Sequence, residues 1–203
     1  MIRTAMRMLC AGFTLGLAAC ASAPLHYYTL VAPVGATTSP AAGVPSVPFE
    51  LLPVGIPAQV DQPQLVVREG GQGVALLNGE RWIAPLADEV RSALSASLER
   101  ELDSPDVSGL PDNDQPRLRI RLDLRRFDSQ PGSYALIEGA WSVRLLHGKA
   151  AAVACTSRIS ETVGPGYAAL VQGHQRAIGE LAARIAVAAR ALASGQGATC
   201  PSP

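Results

Sequence analysis

The chain lacks most of what site-building chemistry needs. Its acidic and basic side chains cancel to a formal net charge of zero, and removal of Arg3 and Arg7 with a leader leaves a slightly acidic remainder. That balance gives no electrostatic ground for a nucleic-acid partner. There is no G-x-S-x-G, so the serine-hydrolase elbow is absent. The three histidines, His26, His147 and His174, have no second ligand at i+2, i+3 or i+4, so no metal spacing is legible. Gly70-Gly71-Gln72-Gly73 lacks the Lys-Ser/Thr of a phosphate-binding loop and reads as a hairpin tip. Aromatic residues make up only 4%, which leaves the core to Leu, Val and Ala. No internal repeat or second domain boundary is evident. With every tested catalytic constellation missing, the expectation is a non-enzyme without cofactor or metal.

What is present begins at the N-terminus. Met1 to Met8 carries Arg3 and Arg7 and no acid, and Leu9 to Leu17 is apolar or small apart from Thr14. This is a secretory leader, too short for a membrane span of about 20 apolar residues. It ends in Leu17-Ala18-Ala19-Cys20, which resembles the bacterial lipobox at all four positions. The resemblance implies cleavage before Cys20 and lipidation of its sulfur; ordinary cleavage nearby with an incidental cysteine is the alternative. Buried methylenes contribute about 0.8 kcal/mol each, and several acyl chains together hold firmly where one does not. Ala21, rather than Asp, follows the cysteine, and by resemblance to enterobacterial lipoproteins that favours the periplasmic face of the outer membrane, with inner-membrane retention as the alternative.

The layout is then residues 1–19 as signal peptide, 20–48 as lipidated N-terminus and tether, and 49–203 as one domain, long enough to bury a core. Cys10 leaves with the leader. Cys155 and Cys200 form an even pair in an oxidising compartment, so a disulfide is the default reading and two separate thiols the alternative. A bridge across that loop stabilises by roughly 4 kcal/mol on the chain-entropy model.

Within the tether, Leu25 to Leu30 is aromatic and β-prone and suits a sheet edge. Val31 to Pro48, rich in Pro, Ala, Gly, Ser and Thr, reads as a flexible spacer that lifts the domain off the membrane. Phe49 to Ile56 and Gln64 to Arg68 read as strands, Val74 to Leu77 as a returning strand, and Asn78-Gly79 as a further turn. Pro85 suits the first turn of a helix whose Leu86, Val90, Leu94, Leu98 and Leu102 form an apolar stripe. Arg117 to Arg125 alternates Leu118, Ile120, Leu122 and Leu124 with charged residues, the pattern of a half-buried strand. Tyr134 to Leu146 and Ala151 to Thr162 complete a meander. The last helix spans Tyr167 to Ala193; Val171, Ile178, Ile185 and Leu192 repeat by seven, and packing on the helix's own sheet is favoured over a coiled-coil seam. The fold class is α/β, one domain with a mixed sheet of about five to six strands and two principal helices.

The Arg117, Arg119, Arg121 and Arg125 stripe suits lipid headgroups or an acidic partner, against the plainer reading of a solvated strand face. Several motifs carry a resemblance in order: Tyr27-Tyr28-Thr29-Leu30 after the lipobox, Val54-Gly55-Ile56-Pro57, Asp61-Gln62-Pro63-Gln64-Leu65-Val66, Arg81-Trp82-Ile83-Ala84-Pro85-Leu86, Phe127-Asp128 and Gly139-Ala140-Trp141. Together they resemble the PqiC-type auxiliary lipoproteins of ABC/MCE transport systems, over nearly all of the mature chain. The resemblance implies an anticodon-binding-like α/β fold. It implies work with an MCE-domain periplasmic protein and an inner-membrane transport component in moving lipid, and a homo-oligomeric ring. It brings no catalytic residues. Tyr27, Tyr28, Arg81 and Trp82 are the partner-contact candidates, with core burial as the alternative for Trp82 and Trp141. A structural lipoprotein of another envelope assembly or secretion machine is the second functional reading.

Overall fold

The computed structural model describes residues 24–33, 47–148 and 152–201. The leader, Cys20 and most of the proline-rich segment lie outside them. Seven strands and two long helices follow in the order β1 (His26–Tyr28), β2 (Phe49–Leu51), β3 (Gln64–Gly70), β4 (Gly73–Trp82), α1 (Leu86–Leu102), β5 (Arg117–Gln130), β6 (Tyr134–Leu146), β7 (Ala152–Thr162) and α2 (Tyr167–Ala193). The fold is a single α/β domain.

The strands divide between two mixed sheets, ordered β2-β5-β6-β7 and β1-β4-β3, where the pattern of the sequence suggested one. The division has a local cause. β2 runs parallel to β5, and Gly55 still bridges to Asp123. Pro57 and Pro63 then bracket a short 3-10 turn at Ala58–Val60. Proline has no N–H for a ladder, so the chain leaves the β5 edge there and starts a second sheet.

β5 supplies the floor of the core. Leu118, Ile120, Leu122 and Leu124 are at most 3% exposed, as their alternation requires. The strand runs five residues past Arg125, because a bulge between Leu124 and Arg126 absorbs the break in pattern. The extra residue resets the parity, so that Phe127 and Ser129 point inward after it.

Helix α2 lies across the inner face of this sheet and against α1. All four residues of its seven-residue repeat are buried, as are His174, Leu181 and Ala188. Its apolar stripe is satisfied within the domain rather than by a partner helix. Close approach depends on Gly173: a Cβ there would lie 2.3 Å from Val163 Cγ1 and 2.9 Å from Ala135 Cβ.

Two local expectations change. Asn78-Gly79 does not end a strand; β4 continues to Trp82, and the ladder shifts there, with Gln64 opposite Arg81 and Leu65 opposite Leu77. The turn signal marks an irregularity inside the strand. The segment before β2 is not one continuous tether either. β1 is docked in parallel on β4, and Leu30 is 1% exposed. Residues 31–48 therefore connect two docked strands and do not separate the domain from Cys20, which corrects the spacer reading.

Cys155 and Cys200 are joined, with Cα atoms 5.6 Å apart, and the bond ties the tail after α2 to β7.

Gly173→Ala is expected to lower stability by about 1–3 kcal/mol through overpacking, although an alanine in an open helix position stabilises by roughly 0.5–1 kcal/mol. Urea unfolding of the two proteins gives the sign.

Candidate functional site

The four candidate contact residues meet at the β1–β4 pair, where Tyr27 lies opposite Arg81 and Tyr28 opposite Trp82. They do not share a face. Trp82 is buried, edge-on to Phe127 with centroids 6.1 Å apart. Its indole belongs to the core and is out of reach of a partner, as is that of Trp141, which donates to Ser157 Oγ at 3.0 Å. Tyr28 shares Trp82's side and donates to Glu80 Oε2 at 2.7 Å. Burial, then the hydrogen bond to the Glu80 carboxylate and its charge, push the Tyr28 phenol up to about 12. Tyr27 and Arg81 face solvent, where Tyr27 is 54% exposed.

Two carboxylates latch this N-terminal segment to the domain. Glu80 holds Tyr28 and His26, the latter at 3.1 Å. Glu89, on the first turn of α1 and 5% exposed, accepts the Leu30 N–H at 2.7 Å and the Thr29 hydroxyl at 2.8 Å. Gln175 on α2 donates to the Thr29 carbonyl at 3.1 Å. The sequence offers no signal for Glu89, because its partners lie some sixty positions upstream.

The arginine stripe forms part of the outer face of the large sheet. Arg117 and Arg119 are matched by Glu50 and Asp112, and Arg126 by Asp128. Burial works to raise the Asp128 pKa, but hydrogen bonds from Arg126 and Arg68 outweigh it and hold the carboxyl below its ordinary value. Arg121, Arg144 on β6 and Arg158 on β7 are exposed and have no ion-pair partner among the described residues. Arg119 and Arg144 are directly opposed across the β5–β6 ladder, an arrangement of like charges that destabilises a sheet. Between these side chains lies an open hollow of about 350 Å³, with Ala140, Ser142, Ala154 and Thr156 among its lining residues. The face is basic, shallow and floored by small side chains, fit for a docked surface rather than for chemistry on a sequestered substrate.

Two further clusters were not legible from spacing. Asp112, Asp114 and His147 bring ligand atoms within 4.8 Å of one another at the surface. Arg117 already takes both oxygens of Asp112, at 3.0 and 2.9 Å, and His147 binds the same carboxylate at 3.1 Å, so the local negative charge is matched internally. The second cluster is in the core. His174 is fully buried, stacked on Phe127 at 3.9 Å and bonded through Nε2 to Ser129 Oγ at 2.8 Å; its Nδ1 has no partner. Burial lowers its pKa from 6.5 to about 3, against a small opposing pull from Asp128. Neither arrangement pairs a nucleophile with a base beside a pocket. Among the described residues no helix is long and apolar enough to cross a membrane.

Two outcomes follow from these groups. Glu89→Ala leaves the Leu30 N–H without its acceptor and is expected to cost about 1–3 kcal/mol; limited proteolysis of the mature protein then cuts beside Thr29 faster than in wild type. The folded His174 stays neutral while the unfolded one takes up a proton below pH 6.5. Stability therefore falls as pH drops from about 6.5 toward 3, with a limiting slope of about 1.4 kcal/mol per pH unit. Urea unfolding between pH 6.5 and 5, above the range where the carboxylates titrate, shows this slope in wild type and a flatter profile in His174→Gln.

The chain is similar in fold to solved proteins of low sequence identity. An uncharacterized protein superposes with a TM-score of 0.62 at 19% identity, covering 81% of this chain and 97% of its own. A DUF330 protein from Xanthomonas campestris gives 0.55 at 18%, covering 84% and 97%. No curated protein sequence matches. The family model for the ABC-type transport auxiliary lipoprotein component matches residues 28–186, from the docked β1 through most of α2. The chain belongs to the family of ABC-type transport auxiliary lipoprotein components.

Proposed function

We propose that the protein is the outer-membrane docking subunit of an MCE-type intermembrane lipid transport system. Acyl chains on Cys20 hold it at the periplasmic face. The domain receives an MCE-domain periplasmic protein whose far end is served by an inner-membrane transport component. The observation that carries this reading is the family match over residues 28–186, downstream of a complete lipobox ending at Cys20.

The physical character of the domain supports it. The core is filled, and the surface hollows are open and shallow. The protein acts by geometry, with one end fixed to a membrane and a surface presented to a partner, and without a catalytic step. The outer sheet face is the grip: Arg121, Arg144 and Arg158 supply charge for carboxylates on the tube, and small residues between them allow close approach. A ring of copies multiplies that grip by avidity.

Crosslinking the tagged, lipidated protein in membranes and identifying what it carries tests the reading. The expected recovery is an MCE-domain protein together with phospholipid. The triple variant Arg121→Glu/Arg144→Glu/Arg158→Glu is expected to lower that recovery about tenfold, the summed effect of three exposed charge contacts. Recovery of secretion or cell-wall machinery in place of the MCE protein discards the transport role.

A further inference from the structure

Eight large apolar side chains stand exposed among the described residues, and five of them, Leu25, Tyr27, Val74, Leu76 and Ile83, lie on or beside the small sheet at 47–60% exposure. Their directions agree. Leu65, Val67 and Trp82 point into the core, and Leu77 packs against it. Side chains alternate along a strand, so Arg81, Ile83 and Leu76 point out. Tyr27 is opposite Arg81 and Leu76 opposite Val66, and Leu25 shares Tyr27's face two residues earlier. The outer face of β1-β4-β3 is thus an apolar patch with one arginine, and such a patch marks an interaction surface.

What covers it follows from where the chain leads. Five residues separate Cys20 from His26. Fully extended, that stretch spans about 20 Å, little more than the radius of a domain of this size, about 15 Å. The latch on Glu80 and Glu89 holds β1 in place, so the longer 31–48 segment adds nothing to the leash. An acylated Cys20 in the bilayer brings the β1 end of this sheet to the headgroup layer. The residues there are suited to it: a tyrosine and aliphatic side chains for the interface, and Arg81 for lipid phosphate.

We propose that the outer face of the β1-β4-β3 sheet rests on the phospholipid surface beside the acyl chains, with Leu25, Tyr27, Leu76 and Ile83 at the interface and Arg81 on headgroup phosphate. The lipid anchor and this face together set a fixed orientation of the domain on its membrane. The inference rests on Cys20 being the acylated residue.

The test places a photo-crosslinking benzoylphenylalanine at Leu76 or, as a control on the exposed side of α2, at Val187, which is 55% exposed. The full chain is expressed in a bacterial envelope and irradiated, and the intact mass of the purified protein is read. The same mass reports acylation of Cys20. The expected result is a phospholipid adduct from Leu76 at a yield at least about fivefold above that from Val187. Equal yields at the two positions on an acylated chain overturn the proposal and leave the anchor standing. An adduct of twice the chain mass from Leu76 also overturns it and assigns the face to a second copy.

An unmodified Cys20 overturns the anchor reading, and the face is then decided without it. The mature chain carrying Cys20→Ser is mixed with vesicles of phosphatidylethanolamine and phosphatidylglycerol. Preferential lipid adducts at Leu76 and an about fivefold weaker vesicle binding by Arg81→Gln support the face; absence of both overturns it.

Discussion

The structure depends on burial of one strand face. β5 carries its apolar residues in strict alternation up to Leu124 and, after the bulge, again at Phe127. That row gives α2 a floor to lie on, and β6 and β7 extend it through Ile137, Trp141, Val143, Val153 and Ile159. Because the hydrophobic free energy scales with the apolar area removed from water, this contact sets the positions of both helices, and α1 follows by packing beside α2. The charged half of the same strand is pushed outward by the same alternation. The basic outer face and the apolar inner one are two consequences of one pattern.

The small sheet is a separate attachment with its own logic. Its hairpin packs Val67 with Ala135, Val163 and Leu170, and its third strand, β1, comes from far upstream. β1 has only three ladder positions, too few to hold by themselves. The buried Glu89 compensates: a carboxylate at the start of a helix favours the helix dipole and accepts two hydrogen bonds from the arriving segment. The result joins the membrane-proximal end of the chain rigidly to the domain, in place of the loose stalk that its composition suggests. For a lipoprotein whose work is to present a surface, that rigidity decides which way the surface points.

The domain has no feature that concentrates chemistry. Its one buried histidine is held neutral against an aromatic ring, and its exposed Asp112, Asp114 and His147 group is matched by Arg117. The charged face keeps like charges opposed at Arg119 and Arg144. Such an arrangement costs a little stability for the isolated domain and is relieved when an acidic surface covers it. This agrees with the family's description as an auxiliary component.

Local pattern was enough to determine much of this protein. The lipobox, the alternation of β5, the meander that follows it and the bounds of α2 from Tyr167 to Ala193 all rest on period and on turn residues, which act over a few positions and are therefore written in consecutive residues. The Cys155–Cys200 pair was named from count and compartment alone. Tertiary structure decided the rest, because those features join residues distant in the chain. The split into two sheets depends on where Pro57 and Pro63 deny a ladder its donors. The burial of Trp82, which separates it from Tyr27 and Arg81, depends on the parity of β4 after its irregularity at Asn78-Gly79. The docking of β1 depends on Glu80 and Glu89, more than fifty positions away, and only a folded chain brings a carboxylate across that distance to a backbone N–H.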